Sequence, residues 1–269
     1  MQSSKLTKPN ISVIVLTKNE EEVISDCLES VKWADEVVVV DDSSTDGTLD
    51  IVKKFGIKKI VKAPPGKTFS DRRNLGRDAA SGDWLLYVDA DERVTPTLKS
   101  EIIKTIEQCQ NQTMFFSAFA IPRRNIRLTK ELHYGGWWPD YVLRLMRKDK
   151  LEGWEGELHE QPRIDGGVGK LKEAFVHFSH RGSLENKLRN TINWSEIEAR
   201  KLYEADHPPM NVRRFFSAMA REFYLRMIKY QAYRDGLEGI IEAIYQVFSV
   251  FITYARLWEM QVHDKQKRD

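Results

Sequence analysis

Cysteine is scarce in this chain, with Cys27 and Cys109 the only two among 269 residues. Two are too few for a disulfide scaffold or a cysteine-rich zinc site, so both are expected to be reduced. An excess of charge of one sign is also missing, since 42 basic residues face 40 acidic ones and the net charge is +2. Proteins dedicated to nucleic acids usually carry a basic excess, so no nucleic-acid partner is expected.

Long hydrophobic runs are lacking as well. The first ten residues, MQSSKLTKPN, contain no apolar core of a signal peptide, which predicts a cytoplasmic location. The longest charge-free run in the apolar C-terminal region, residues 243–255, has 13 residues, fewer than the ~20 needed to cross a bilayer. Because 41% of the residues are hydrophobic and 30% are charged, the chain is expected to be globular.

Short apolar runs alternate with amphipathic segments through the first hundred residues. Four strands are predicted, at ISVIVL (11–16), EVVVV (36–40), IKKIVKA (57–63) and WLLYVDADE (84–92). Helices are predicted after each of them, and the last begins with Thr95 as its cap and Pro96 in its first turn. This order predicts an α/β fold with an open, mostly parallel sheet and helices on both faces.

Acidic and polar residues follow three of these strands, in TKNE, DDSSTD and DADE. Ligands of such sheets bind at the carboxyl ends of the strands, so these clusters are expected to meet at one edge. Asp89 and Asp91 lie two residues apart on an extended chain and can point to the same side. Two such carboxylates repel each other unless a cation is near, and oxygen ligands favour Mg²⁺ or Mn²⁺. That ion would neutralise charge on a leaving diphosphate.

Three segments, ISVIVLTKNEE, EVVVVDDSSTDGT and RRNLGRDAASGDWLLYVDADE, together resemble the nucleotide-sugar domain of family 2 glycosyltransferases. The resemblance covers residues 11–105. It implies a GT-A fold, in which a Rossmann-like, mostly parallel sheet binds the nucleotide, and a metal-dependent transfer from a UDP-sugar. It further implies inversion at the sugar carbon, whereas retention through a carboxylate nucleophile is the alternative.

The resemblance also assigns expected roles to residues of this chain. The base would be held by Leu16, Thr17, Asn19 and Asp42, and the ribose and metal-bridged diphosphate by Asp89, Ala90 and Asp91. Arg73 and Asn74 would approach the nucleotide, and Asp91 would bind the metal. Apart from the resemblance, His177 is the candidate for a nitrogen ligand of the metal, and His180, which lies outside the residues described below, is the alternative; either could instead contact the diphosphate or be structural. A carboxylate only accepts hydrogen bonds, so Asp42 suits the imide N–H of uracil, although guanine N1–H could be met in the same way.

The second half has a different pattern, in which strands surround the sequences HYGGWWP and LHE. This order resembles a subset of family 2 that includes bacterial lipopolysaccharide-core β-glucosyltransferases and related peptide or envelope transferases. An inverting transfer needs one base near the acceptor hydroxyl. We predict Glu160 as that base, with Asp140 as the second choice. The predicted contacts to acceptor or sugar are Trp137, Trp138 and His159, and each of these aromatic residues could instead be structural.

Two long helices are predicted near the C-terminus, at residues 213–236 and 237–260. The polar residues of the second form one narrow stripe, with spacings of four, three, four and three: Glu242, Gln246, Ser249, Thr253 and Arg256. Its apolar remainder has three interpretations: packing against the catalytic domain, a homodimer interface, or shallow insertion at a membrane surface. The last is favoured by basic residues on the preceding helix.

We therefore expect a donor-binding half of a GT-A domain at residues 1–112, an acceptor-side half at 113–182 and a C-terminal helical appendage at 183–269. The predicted function is hexose transfer, glucose in the favoured case, from a UDP-sugar to a cell-envelope saccharide such as lipopolysaccharide inner core. Transfer to polyprenyl phosphate or to a protein or peptide acceptor is the alternative. A further alternative is that the protein is a non-catalytic scaffold that binds sugar nucleotides. A nucleotidyltransferase would usually have a glycine-rich phosphate loop after the first strand, and TKNEEE has no glycine.

Overall fold

The computed structural model describes residues 9–157, 160–179 and 184–268, with the backbone alone at residues 265, 267 and 268. Its first part alternates strands and helices as predicted. The elements are β1 (Ile11–Thr17), α1 (Ile24–Val31), β2 (Glu36–Asp41), α2 (Thr48–Lys54), β3 (Lys59–Lys62), α3 (Phe69–Ala79), β4 (Trp84–Asp89), β5 (Glu92–Val94) and α4 (Pro96–Gln110). The predicted fourth strand thus ends at Asp89, and β5 is separate from it.

The second part consists of shorter strands followed by helices. The elements are β6 (Phe116–Arg127), β7 (Lys130–Glu131), β8 (Asp140–Arg147), β9 (Leu151–Glu155), β10 (Gln161–Ile164), β11 (Gly167–Lys170), β12 (Phe175–Phe178), α5 (Leu184–Glu204), α6 (Val212–Phe223) and α7 (Leu237–Arg268). A π-helix, Tyr224–Lys229, continues α6, and a 3₁₀ turn, Ala232–Asp235, precedes α7.

The main sheet has the strand order β3-β2-β1-β4-β8-β6-β12-β5, with β7 and β11 also paired to β6. Strands β1 to β4 are parallel, and β8 adds antiparallel to β4. Every residue of β1 is buried, as expected for a strand covered on both faces. The fold is therefore the predicted α/β, mostly parallel GT-A arrangement with C-terminal helices.

Helix boundaries follow local chemistry. Thr95 caps α4 by accepting the N–H of Leu98, and Pro96 occupies its first turn, both as predicted. Thr68 and Asp71 form a capping box at the start of α3. Gly56 follows α2 with φ +73°, a conformation that glycine adopts without steric cost. These caps fix where the three helices begin or end.

Contacts between residues divide the chain into two compact units. Unit 1 is Met1–Arg123 with Tyr141–His177, and unit 2 is Arg124–Asp140 with Phe178–Asp269. These boundaries differ from the three predicted ranges, which remain a prediction about functional parts. In unit 1 the core lies on both faces of the sheet, and both Cys27 and Cys109 are free.

The helices of unit 2 depart from the predicted pair. A third helix, α5, precedes them, and α7 continues to Arg268 instead of ending near residue 260. By length and composition alone, Leu237–Asp264 could cross a membrane, and 28% of its most apolar stretch is buried. Core helices of soluble proteins can have the same length and composition.

The polar stripe of α7 faces α5. Lys187 Nζ lies 2.5 Å from Glu242 Oε1, and Thr253 Oγ1 donates to Glu198 Oε2 at 3.0 Å. Glu242 is 1% exposed. The exposed apolar side chains of α7 lie at other positions: Leu237, Ile241, Ile244, Phe248, Phe251 and Trp258. Helix α7 thus directs its polar side inward and leaves much of its apolar side in solvent, the reverse of an ordinary surface helix.

Candidate functional site

The carboxyl ends of β1, β2 and β4 meet at one edge of the sheet in unit 1. In the strand register Thr17 pairs with Asp41, and Leu16 pairs with Asp89. The backbone N–H of Asp42 also donates to the carbonyl of Thr17 at 2.9 Å. The polar clusters that the sequence places after these strands are therefore neighbours.

Asp42 is buried and lies between two cations. Lys18 Nζ is 2.8 Å and Arg72 Nη1 is 3.2 Å from its Oδ2 atom. Lys18 follows β1 and Arg72 is in α3, so this carboxylate connects two separate elements. Neither cation is among the site residues predicted from the sequence. Their signal was their place beside the expected nucleotide residues, Lys18 in TKNE and Arg72 next to Arg73.

Asn19 and Asp41 shape the loop after β2. Asn19, at φ +55°, accepts the N–H of Thr45 at 2.8 Å through its side chain. Its own N–H donates to Ser44 Oγ at 2.9 Å. Asp41 accepts the N–H of Ser44 at 3.1 Å and so stabilises the turn that follows the strand. The contribution of Asn19 to base binding remains a prediction.

Arg73 joins two carboxylates and is 2% exposed. Its Nε donates to Glu160 Oε1 at 2.8 Å, and its Nη2 donates to Asp89 Oδ1 at 3.1 Å. Its Nη1 is buried and has no acceptor among the described residues. The guanidinium also lies 4.9 Å from the ring centre of Trp154. Arg73 is thus held by two carboxylates and an aromatic ring in the interior of the site.

Asp89 has a second arginine partner, because Arg144 Nη2 lies 2.5 Å from its Oδ2 atom. Burial alone would raise the pKa of Asp89, but the charges of Arg144 and Arg73 outweigh it and hold that pKa well below its usual range. The cations nearest to this acid are therefore arginines. Arg144 is not among the predicted site residues, although an arginine inside the apolar run YVLRLM is a visible signal.

Asp91 faces a histidine, with His177 Nε2 3.4 Å from Asp91 Oδ2. Burial would raise the pKa of Asp91, but its charge interaction and hydrogen bond with His177 hold it below the usual range. One carboxylate and one imidazole are a donor set that suits Mn²⁺, with its other positions left to water and phosphate oxygens. No cluster of three or more His, Cys, Asp or Glu occurs within the described ranges. The structure thus brings Asp91 and His177 together, and their donor atoms are of the kind that binds a divalent cation.

Glu92 is a fully buried acid next to Asp91, and it too is absent from the predicted site residues. Its Oε2 accepts the N–H of Asp89 at 3.1 Å, and Arg123 Nη1 lies 3.5 Å from its Oε1. Burial and the neighbouring charge of Asp89 raise the pKa of Glu92. Glu92 therefore supports the turn that holds Asp89, Ala90 and Asp91.

Asn74 holds the segment that leads to Glu160. Its Oδ1 accepts the N–H of Trp154 at 2.9 Å, and its Nδ2 donates to the carbonyl of the same residue at 3.0 Å. Ser70 Oγ donates to the carbonyl of Gly156 at 2.5 Å. These bonds give Asn74 a positioning role, and its approach to the nucleotide remains a prediction.

The remaining predicted residues are divided between the two units. Asp140, Trp137 and Trp138 belong to unit 2, whereas Glu160 belongs to unit 1. Asn125 Nδ2 donates to Asp140 Oδ2 at 3.1 Å. Arg127 lies 3.6 Å from the ring centre of Trp137. His159 is outside the described residues.

Comparison with known proteins gives a family. Residues 12–157, more than half of the chain, match the family described as Glycosyl transferase family 2. A Rickettsia bellii protein named as a glycosyltransferase is 27% identical, over 96% of this chain and 90% of that protein. LpsC of Rhizobium meliloti, a lipopolysaccharide core biosynthesis glycosyltransferase, is 24% identical over 94% of each chain.

Solved structures show weaker likenesses. Residues 1–349 of TarS from S. aureus are 18% identical at a TM-score of 0.45, over 92% of this chain and 83% of that one. Glucosyl-3-phosphoglycerate synthase of Mycobacterium tuberculosis, solved with Mg²⁺ and UDP, is 16% identical at a TM-score of 0.45. That match covers 63% of this chain and 71% of the synthase. At TM-scores below 0.5 neither likeness supports a conclusion about this chain.

Proposed function

The chain belongs to glycosyl transferase family 2, and on that premise we propose that it transfers a hexose, glucose in the favoured case, from a UDP-sugar to a cell-envelope saccharide. The observation that best supports a nucleotide-sugar donor is the cluster at the carboxyl edge of the sheet. This cluster contains three ion pairs: Asp42 with Lys18, Asp89 with Arg73, and Asp91 with His177. Membership of the family makes the protein a glycosyltransferase, and the proposal concerns its donor and acceptor.

Asp42 is proposed to recognise the base. Its buried carboxylate is oriented by Lys18 and Arg72, and it accepts the imide N–H of uracil. Thr17 Oγ1 is buried without a partner among the described residues, so a further polar group is available at the same edge. Leu16 and Asn19 complete the proposed base site.

The diphosphate is proposed to lie along Asp89, Ala90 and Asp91. Asp91 and His177 would hold a divalent cation, Mg²⁺ or Mn²⁺, which would neutralise charge on the leaving diphosphate. Arg73, buried behind Asp89, adds positive charge near the phosphate oxygens and orients that carboxylate. Asp89 keeps Arg73 and Arg144 in place.

Glu160 is proposed as the base, and Asp140 is the alternative. Arg73 binds Oε1 of Glu160 and fixes the direction of the carboxylate. Its Oε2 forms no hydrogen bond with the described residues and can accept the proton of the acceptor hydroxyl. The hydroxyl oxygen attacks the anomeric carbon as the bond to the diphosphate breaks. An α-linked donor then yields a β-linked product.

The acceptor is proposed to be lipopolysaccharide inner core, on the basis of the similarity to LpsC. Polyprenyl phosphate and protein or peptide acceptors are the alternatives. We further propose a cytoplasmic enzyme that associates peripherally with the inner membrane surface. That location is supported by the exposed apolar side of α7.

Product analysis tests this proposal. The protein is incubated with UDP-glucose, Mn²⁺ and a truncated lipopolysaccharide acceptor, and the linkage is determined by NMR. We expect a β-linked product, with the rate in Glu160→Gln reduced about 10³-fold and Asp140→Asn close to wild type. If Asp140→Asn loses activity and Glu160→Gln does not, Asp140 is the base. Absence of turnover in wild type that binds UDP would favour the non-catalytic scaffold.

A further inference from the structure

A cavity of about 730 Å³ lies within unit 2. It is bounded by the loop that contains GGWWP on one side and by the end of α6 and the π-helix on the other. We call it the GGWWP pocket. The lining residues that matter for its chemistry are His133, Tyr134, Trp138, Arg226, Lys229 and Tyr230.

The pocket walls are tied together by hydrogen bonds. The N–H of Gly135 donates to the carbonyl of Tyr230 at 2.8 Å. The buried carboxylate of Asp235 accepts the N–H groups of His133 and Tyr134 at 2.9 and 2.7 Å. Gly136 has φ +82°, and a Cβ there would lie 3.2 Å from the ring of Tyr230. The loop thus has a defined conformation against the helical wall before any ligand binds.

Cations and aromatic rings are combined in this lining. Arg226 pairs with Glu222 at 2.7 Å and donates to the carbonyl of Gly135 at 2.9 Å, so it is largely structural. No carboxylate within the described part of the chain pairs with the Lys229 ammonium. Trp138 is 39% exposed. An indole face binds the apolar face of a sugar ring, and an unpaired ammonium binds an anion.

We propose that the GGWWP pocket binds a sugar ring that carries an anionic group, phosphate or carboxylate. The ring lies on Trp138 and the anion lies at Lys229. The inference rests on the proposed function, because it makes this sugar a part of the saccharide acceptor. An acceptor with a phosphate but no ring would use only one half of the pocket.

Ligand-observed NMR on the whole protein tests the proposal. The probes are glucose 6-phosphate, glucuronate, glucose and inorganic phosphate. We expect the two charged sugars to bind about tenfold more tightly than glucose or phosphate alone. Both Trp138→Ala and Lys229→Gln should weaken them by about fivefold or more, and Trp138→Phe should restore part of the loss. Phosphate that binds as tightly as glucose 6-phosphate would overturn the role of the ring.

Matched controls separate the pocket from the surface. Trp194 is 40% exposed outside the pocket, and Lys104 is an exposed lysine on α4, so Trp194→Ala and Lys104→Gln should leave binding unchanged. UDP binding is measured on the same samples. If UDP binds and the charged sugars do not, the pocket assignment is overturned and the donor assignment stands. If UDP also fails to bind, the proposed function itself fails.

Discussion

At the scale of single residues, Arg73 links the proposed base, Glu160, to Asp89. It is 2% exposed and donates to Glu160 and Asp89 through different nitrogens. A planar guanidinium can hold two carboxylates in fixed directions, whereas a lysine presents one flexible point charge. The geometry of both acids therefore depends on arginine at this position.

Replacing Arg73 with lysine is expected to lower stability and donor affinity together. Weakening the two ion pairs of the buried Arg73 with the partly buried carboxylates of Asp89 and Glu160 should cost about 3 kcal/mol in the free energy of unfolding. UDP affinity should fall about tenfold with the loss of an oriented donor. Urea denaturation and calorimetric titration measure the two effects. Arg147→Lys, at a partly exposed residue paired with Asp149, is the control. If Arg73→Lys binds UDP as tightly as wild type does, Arg73 has no part in donor binding.

Asp42→Asn tests base recognition. The variant keeps the size of the side chain but replaces a pure acceptor with an amide, and it removes the charge that Lys18 and Arg72 share. UDP affinity is expected to fall by about tenfold or more. Asp50→Asn, on the exposed side of α2, should bind UDP as wild type does. If Asp42→Asn does so too, Asp42 only orders its two cations.

At the scale of elements, the amino edge of the sheet is held by one carboxylate. Glu36, at the start of β2, accepts from Ser12 Oγ at 2.5 Å and from the N–H of Ser81 at 2.8 Å, and it also pairs with Lys59. Gly82 in turn donates to Ser12 Oγ. Despite partial burial, these bonds lower the pKa of Glu36 to about 2. Glu36 thus connects β1, β2, β3 and the turn before β4.

The lowered pKa of Glu36 predicts a pH-dependent stability. The group is easier to ionise in the folded state, so its contribution is complete above pH 4.5 and is lost as pH falls toward 2. Glu36→Gln should lower the free energy of unfolding at pH 7 by about 2 kcal/mol, and the difference from wild type should shrink below pH 4.5. Urea denaturation between pH 3 and 7 measures it, with Glu29→Gln as an exposed control. A constant difference across this range would contradict the pKa assignment.

The sequence predicted these elements where local signals suffice. The apolar runs of β1, β2 and β4 and the cap at Thr95 are short-range patterns, and the structure confirms them. The partners of Asp89 could not be predicted, because Arg144 lies 55 positions away and is brought close by the pairing of β8 with β4. The same limit applies to α7, whose polar stripe faces inward because α5 supplies Lys187.

At the scale of the whole molecule, exposed hydrophobic residues are concentrated in one unit. Among the described residues, 19 of the 25 large exposed hydrophobic side chains belong to unit 2. Residues 212–234 add six basic side chains and one acidic side chain. Exposed apolar surface beside positive charge favours an anionic membrane surface over an uncharged partner.

Vesicle co-sedimentation tests this surface. Wild type should bind vesicles with anionic lipid more strongly than neutral ones. Replacing Ile244, Phe248 and Phe251 together with serine should reduce the bound fraction about fivefold. Phe115→Ser, which removes an 82% exposed side chain from unit 1, is the control. Equal binding of the triple variant and wild type would exclude α7 as the contact. A dimer in sedimentation velocity that the triple variant abolishes would assign the face to a second copy.

Calorimetric titration of UDP and of GDP, each with Mn²⁺ and then with EDTA, tests the central claim most directly. We predict that UDP binds in the presence of Mn²⁺ and that EDTA weakens this binding by about tenfold or more. GDP should give no comparable heat under either condition. That result would support the roles of Asp42, Asp91 and His177 together. Failure of both nucleotides to bind, in protein shown to be folded, would contradict the donor assignment.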